Sequence, residues 1–132
     1  MNGEALGAIG FAVLSVRAAD TSLAQGINDL PSVSLPTLSA LAEGAINSSL
    51  AEFLEMSEST VTLCSTLRVL GFAGVGSEIQ ASAKCIAAGE ELNFEIEIYC
   101  GEREICFGEI KRKVVDRTVL TAKIAAITLA DN

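Results

Sequence analysis

Histidine and tryptophan are both absent from this sequence, and its 132 residues include only one tyrosine, five phenylalanines and two prolines. The missing histidine excludes the most. Without it no Ser–His–Asp triad, Cys–His pair or histidine-ligated metal site can be assembled. The side chain most often used for proton transfer near neutral pH is missing as well. Any hydrolytic chemistry must use carboxylates, backbone dipoles and water, and no metal or dissociable cofactor is expected. Aromatic residues make up 5% of a chain that is 50% apolar, so the core must be aliphatic. One domain spanning 1–132 can bury a single core, and the surplus of Ala, Val, Ile and Leu predicts an apolar face left for a second subunit. A homodimer or a dimer of dimers is expected.

Positive charge is also scarce, with 9 Lys and Arg against 17 Asp and Glu, a formal charge of −8. That balance argues against nucleic-acid phosphates and against an anionic membrane surface as partners. The four cysteines, Cys64, Cys85, Cys100 and Cys106, are separated by 21, 15 and 6 residues, which matches neither a zinc knuckle nor a CxxC pair. They read as buried free thiols in a reducing compartment. Long apolar runs are missing too. The longest near the start, Ala5 to Val16, is too short to cross a bilayer and has no basic residue before it, as a secretory leader would. It reads as a strand, central or interfacial, and the protein as cytoplasmic.

What is present is organised around Leu35 to Leu54, LPTLSALAEGAINSSLAEFL. Leu38, Leu41, Ala42, Ala45, Ile46, Ser49, Leu50, Phe53 and Leu54 recur at three- and four-residue steps, the apolar stripe of a helix. Pro36 suits a first turn, and Ser34 is the better N-cap. Ser39, Glu43 and Asn47 lie four apart on a polar face.

Beyond this helix the period changes. Thr60 to Leu70, Ser77 to Ala87, Leu92 to Tyr99 and Glu104 to Val115 alternate as strands, with turns at Ala88–Glu91 and Cys100–Arg103. GFAGVG at Gly71–Gly76 is only superficially a dinucleotide loop, because it joins strand to strand instead of strand to helix. Asp116 is placed to cap a short C-terminal helix with Leu120, Ile124 and Ile127 along one side. The fold class expected is α+β: a meander of four strands and a first strand forming a sheet wrapped around one long central helix.

That order of elements resembles the hotdog fold, in which a long helix lies in the concave face of an antiparallel sheet. Three stretches are similar to acyl-CoA thioesterases of the fluoroacetyl-CoA thioesterase-like group. PSVSLPTLSALAEGA (Pro31 to Ala45) resembles that group's proline, cap, hydrophobic helix and L-M-E-x-A pattern. TLCSTLRVLGFAGVG (Thr62 to Gly76) stands where the group reads strand and then H-L-A-P-T-P-x-G, and GEIKRKVVDRTVL (Gly108 to Leu120) resembles its G-x-H-x-R-x-V-V-D ending. The resemblance implies an acyl-CoA ligand, with coenzyme A entering as part of the substrate. It also implies a reactive set of a hydroxyl before the helix, a glutamate within it and a histidine on the next strand. Glu43 matches the glutamate; the hydroxyl position falls on Leu35, beside Ser34 and Thr37, and the histidine position on Val69.

Glu43 breaks an apolar run inside a helix expected to be largely covered. It is either paired with a Lys or Arg across an interface or a carboxylate at the mouth of an acyl-thioester pocket between subunits. In the second case it could act as general base on water, or attack the thioester carbonyl. First-turn N–H groups near Ser34 and Leu35 could hold the oxyanion. Asn47 could orient the carboxylate or be simple helix-surface polarity, and Ser34 could offer a hydroxyl besides capping. Lys111, Arg112 and Lys113 either approach coenzyme A phosphates or blunt an edge strand. Three functions follow: an acyl-CoA thioesterase, a catalytically silent binder of acyl-CoA or another hydrophobic ligand, and a purely structural homo-oligomer. A hydratase of the same fold is disfavoured, because it would need an Asp/His pair.

Overall fold

The computed structural model describes Met1 and residues 4–132. Five strands, β1 (Ile9–Ser15), β2 (Glu58–Val69), β3 (Glu78–Ala88), β4 (Glu91–Cys100) and β5 (Arg103–Asp116), form one antiparallel sheet that curves around helix α1 (Leu35–Leu50). A second helix, α2 (Arg117–Asp131), follows β5 directly.

Local chemistry fixes the ends of α1. Ser34 has extended backbone and its Oγ accepts the Thr37 N–H at 3.1 Å, while Pro36 occupies the first turn, where no backbone donor is needed. The helix stops at Leu50, four residues before the periodicity suggests, and the chain turns through Phe53. Leu38, Ala42, Ala45, Ile46, Ser49 and Leu50 are buried against the sheet. They meet an almost wholly aliphatic layer, in which Phe94 is the one fully buried ring among Ile79, Leu92, Ile96, Ile98, Ile105 and Ile110. Gly10 lets β1 ride directly on α1: a Cβ there would stand 2.2 Å from the Ala45 carbonyl oxygen and 2.3 Å from the Ser49 nitrogen. Only hydrogen fits.

The strand order is β1-β3-β4-β5-β2, so the expected four-strand meander is corrected to three. β2 lies beside β5 and not beside β3. Residues 70–77 are no hairpin; they form a crossing segment tied down by Leu70 N–H and Gly71 N–H to the Ile105 carbonyl, and by Val33 N–H to that of Ala73. The two longest strands, of 12 and 14 residues, thereby pair with each other. β1 is an edge strand, paired only with β3 among the described residues, and not central.

β2 also departs from simple alternation. Thr62 faces Arg112 and Cys64 faces Lys111, so Leu63 is an extra residue in a bulge. Thr60 and Thr62 therefore share the helix side with Ser65, Leu67 and Val69, while Cys64, Thr66 and Arg68 face outward. All four cysteines are unpaired; Cys85 and Cys106 are buried as expected, Cys100 is half-buried, and Cys64 is exposed. Burial pushes both enclosed thiols above the ordinary thiol range, and Glu104 adds to the rise at Cys106. No helix among the described residues is long and apolar enough to cross a membrane.

Candidate functional site

Glu43 and Asn47 stand one turn apart on α1, facing the inner side of β5 and β2. There the strand period places Ile110, Arg112 and Val114 inward, and Lys111 and Lys113 on the opposite, exposed face. Among the described residues, Arg112 is the only basic side chain that is buried. Its Nε and Nη2 donate to Glu43 Oε1 at 3.2 and 2.9 Å, and Nη2 also reaches the Glu43 carbonyl at 3.2 Å. Nη1 donates to Asn47 Oδ1 at 2.7 Å and to Thr60 Oγ1 at 3.0 Å. The other carboxylate oxygen, Oε2, accepts from Thr62 Oγ1 at 2.7 Å. The guanidinium side chain is 7% exposed and the carboxylate side chain 32%. A forked, bidentate cation thus holds one oxygen of Glu43 and a hydroxyl holds the other, leaving an outward lone pair toward solvent.

This array gathers Glu43, Asn47 and Arg112 and adds Thr60 and Thr62, which the sequence did not single out. Their signal is visible afterwards: two threonines two apart on a strand whose intervening residue, Val61, points the other way. The pairing of Glu43 is within one chain, so the interface partner expected for it is replaced by Arg112. Lys111 and Lys113 do not join the site.

The helix N-terminus is a separate cluster. Ser34 is fully buried, and besides its cap its Oγ donates to Gln25 Oε1. Thr37 Oγ1 accepts from Gln25 Nε2 at 2.9 Å and donates to the Asp20 carbonyl at 3.2 Å. The Ser34 N–H goes to Asp20 O, and Thr37 N–H to Ser34 Oγ. Since Pro36 has no N–H, the first-turn donor left over is that of Leu35, whose side chain is 43% exposed. Arg17 next door chelates Asp20 through Nε and Nη2, holding that carboxyl below the usual carboxylate range.

Ser34 and Glu43 are nine residues apart on the helix axis, roughly 13 Å. Val69 lies seven residues along β2 from Thr62, roughly 23 Å. It sits at the same end of the molecule as Leu35, because Ser32 bridges to Gly74 and Val33 bonds to Ala73 in the segment after β2. One protomer therefore carries Ser34, Leu35 and Val69 at one end and the Glu43 array at the other. Two grooves formed by the described residues do not include Glu43. One of about 650 Å³ lies on the outer sheet face at Thr66, Arg68, Glu95 and Phe107. The other, about 460 Å³, runs along Leu14, Arg17, Thr37 and Leu41. Among the described residues, no cluster of Cys, Asp and Glu is placed to hold a metal ion.

One long helix against a curved five-stranded antiparallel sheet is the fold of hotdog proteins. The fluoroacetyl-CoA thioesterase FlK superposes with a TM-score of 0.86 at 18% identity, covering 95% of this chain and 98% of that one. A Thermus thermophilus hypothetical protein, described as a thioesterase superfamily member, gives 0.89 at 16% identity over 98% and 97%. A hot-dog-like protein from Thermanaerovibrio acidaminovorans gives 0.82 at 15% over 92% and 90%. No curated protein matches the sequence. The family model of the fluoroacetyl-CoA-specific thioesterase matches residues 16–118, and the chain belongs to that family.

Proposed function

We propose that this protein hydrolyses a small or medium acyl-CoA thioester at a pocket closed between two copies of the chain, with Glu43 as general base on water. The observation that carries this reading is the carboxylate itself. It is held at fixed orientation by Arg112 and Thr62, yet remains one-third exposed at the edge of the sheet. Leu35 and Val69 stand where the family's hydroxyl and histidine are expected, so the route left is direct attack by water. Glu43 takes its proton, the Leu35 N–H of the second copy holds the oxyanion, and C–S cleavage releases the coenzyme A thiolate, which takes that proton. Missing an acid–base partner typically costs a factor of about 10² to 10⁴, which makes this a slow hydrolase. Coenzyme A enters only as part of the substrate, and four unpaired thiols suit a reducing, cytoplasmic compartment.

The second copy is supported by the outer edge of β2. From Ser59 to Leu67 this 12-residue edge strand carries no charge and no proline, the devices that normally keep edges apart. Antiparallel pairing of two such edges about a two-fold axis at mid-strand brings the Leu35 and Val69 end of one copy toward the Glu43 end of the other. Each cleft would then be lined from both subunits.

The bonds that already engage Glu43 on both oxygens favour one other reading, a silent protein that holds acyl-CoA or another hydrophobic ligand. An acyl-CoA panel from acetyl to palmitoyl, followed by release of free thiol, separates the two. Turnover that disappears in Glu43→Gln, a change that keeps shape and one acceptor oxygen for Arg112 but removes the basic carboxylate, supports hydrolysis. Saturable heat stabilisation by an acyl-CoA without turnover supports the silent binder. Turnover equal in wild type and Glu43→Gln would refute the role given to this carboxylate.

A further inference from the structure

Helix α2 runs for 15 residues, about 22 Å, and none of them is buried. It is tethered only at its start. Asp116 Oδ1 accepts the Val119 N–H at 2.9 Å, the Arg117 N–H goes to the Ser57 carbonyl and Arg117 Nη2 to that of Glu58. Val119, Ile124, Ile127 and Leu129 are each more than half exposed. Thr118, Val119, Thr121, Ile124, Ile127 and Thr128 are β-branched and individually weak helix formers. A helix of this length is marginal in water, so α2 needs a surface to lie on.

The sequence of α2 specifies what that surface is. Arg117, Leu120, Ile124, Ile127 and Asp131 follow one another at steps of three, four, three and four, the spacing of a coiled-coil seam. The middle is apolar and the ends carry opposite charges, with Ile124 seven residues from each. Laid antiparallel about a two-fold axis through Ile124, two copies set Ile124 on Ile124, Leu120 on Ile127, and Arg117 on Asp131 at both ends. A parallel pair would instead oppose like charges at both ends. We propose that α2 pairs antiparallel with α2 of a second copy of this chain.

This contact stands on the helix alone. Combined with the β2 pairing proposed above, it has a further consequence. α2 leaves the sheet where Asp116 pairs with Glu58, at one end of a strand about 40 Å long. In a β2-joined dimer the two α2 helices depart from opposite ends and cannot meet, so each reaches another dimer. The assembly is then a dimer of dimers held by two α2 seams. One seam alone is smaller than the roughly 1,200 Å² of a stable interface, but two engage together. The tetramer should come apart on dilution, leaving β2-paired dimers.

Sedimentation equilibrium over about a hundredfold range of protein concentration tests this. The mass of the full chain is expected to double toward high concentration. Arg117→Asp or Asp131→Arg alone should abolish that doubling, and the two together should restore it. In a Cys64→Ser background, Ile124→Cys should cross-link to itself on mild oxidation, while Ala122→Cys, on the opposite side of α2, should not. A mass indifferent to the single charge changes, no rescue by the double exchange, or equal cross-linking at Ala122 overturns the proposal. Ser65→Pro, which removes an edge N–H of β2, reports on the other contact separately. A β2 association left intact by Ser65→Pro would sink the β2 pairing and leave the α2 pairing standing.

Discussion

Truncating Glu43 to alanine should destabilise the fold as well as any activity, and the structure gives the size of the loss. The change takes two charge-assisted bonds from Arg112 and one from Thr62, while the bonds from Arg112 to the Glu43 carbonyl, Asn47 and Thr60 remain. Removing one partner of a buried ion pair costs about 3–5 kcal/mol, because the other charge is left enclosed without its counter-ion. The Glu43 side chain is 32% exposed, so water can enter the gap, and the lower end, about 3 kcal/mol, is expected. For 132 residues that is a fall in Tm of about 10 °C. Urea titration at fixed protein concentration, with a slope of about 1–3 kcal/mol/M, should show the midpoint moving by at least about 1 M. Replacing both charges, Glu43→Met with Arg112→Met, should recover most of the loss, since no charge is then buried. A Glu43→Ala variant within about 0.5 kcal/mol of wild type, or a double variant as unstable as the two singles added, would refute this account of the pair.

Other perturbations follow from the packing and the ionisable groups. Gly10→Ala should cost at least about 3 kcal/mol by urea titration, because its Cβ meets the backbone of α1 at Ala45 and Ser49 and no flexible side chain can give way. Asp20 has its folded pKa depressed by Arg17, so its contribution is complete above the unfolded carboxylate value and is lost as pH falls through the lower folded value. The stability gap between wild type and Asp20→Asn should therefore shrink only below about pH 4, and a gap constant from pH 6 to pH 2 would contradict it. A thiol reagent should label Cys64 at once, and Cys85 and Cys106 only after unfolding, because burial disfavours their thiolates. Equal rates at Cys64 and Cys106 would show the strand assignments to be wrong.

What could be read in the sequence was what is decided locally. The caps at Ser34 and Asp116, the stripe on α1 and the two hairpins each depend on residues within one turn or one strand pair. The order of strands does not. Nothing in Thr60–Leu70 distinguishes β5 from β3 as its neighbour, since both offer an alternating partner of similar length. The bulge at Leu63 is equally silent, because an extra residue changes the phase of a strand without changing its composition. Glu43 was visible as a charge in an apolar run. Its partner was hidden inside Lys111–Arg112–Lys113, where only the parity shared with Ile110 and Val114 separates the buried guanidinium from the two exposed ammonium groups.

Leu63 is opposed by no residue of β5 and is half exposed. It acts as a joint between two segments of one strand, with the hydroxyls of Thr60 and Thr62 that hold Arg112 and Glu43 before it and the helix-facing Ser65, Leu67 and Val69 after it. Deleting that single residue would restore plain alternation and leave both segments facing as they do now, whereas a deletion farther along β2 would invert the residues between it and the bulge. Shortening by one is thus tolerable at the bulge and increasingly costly away from it, a tolerance that no inspection of side-chain chemistry would have foretold.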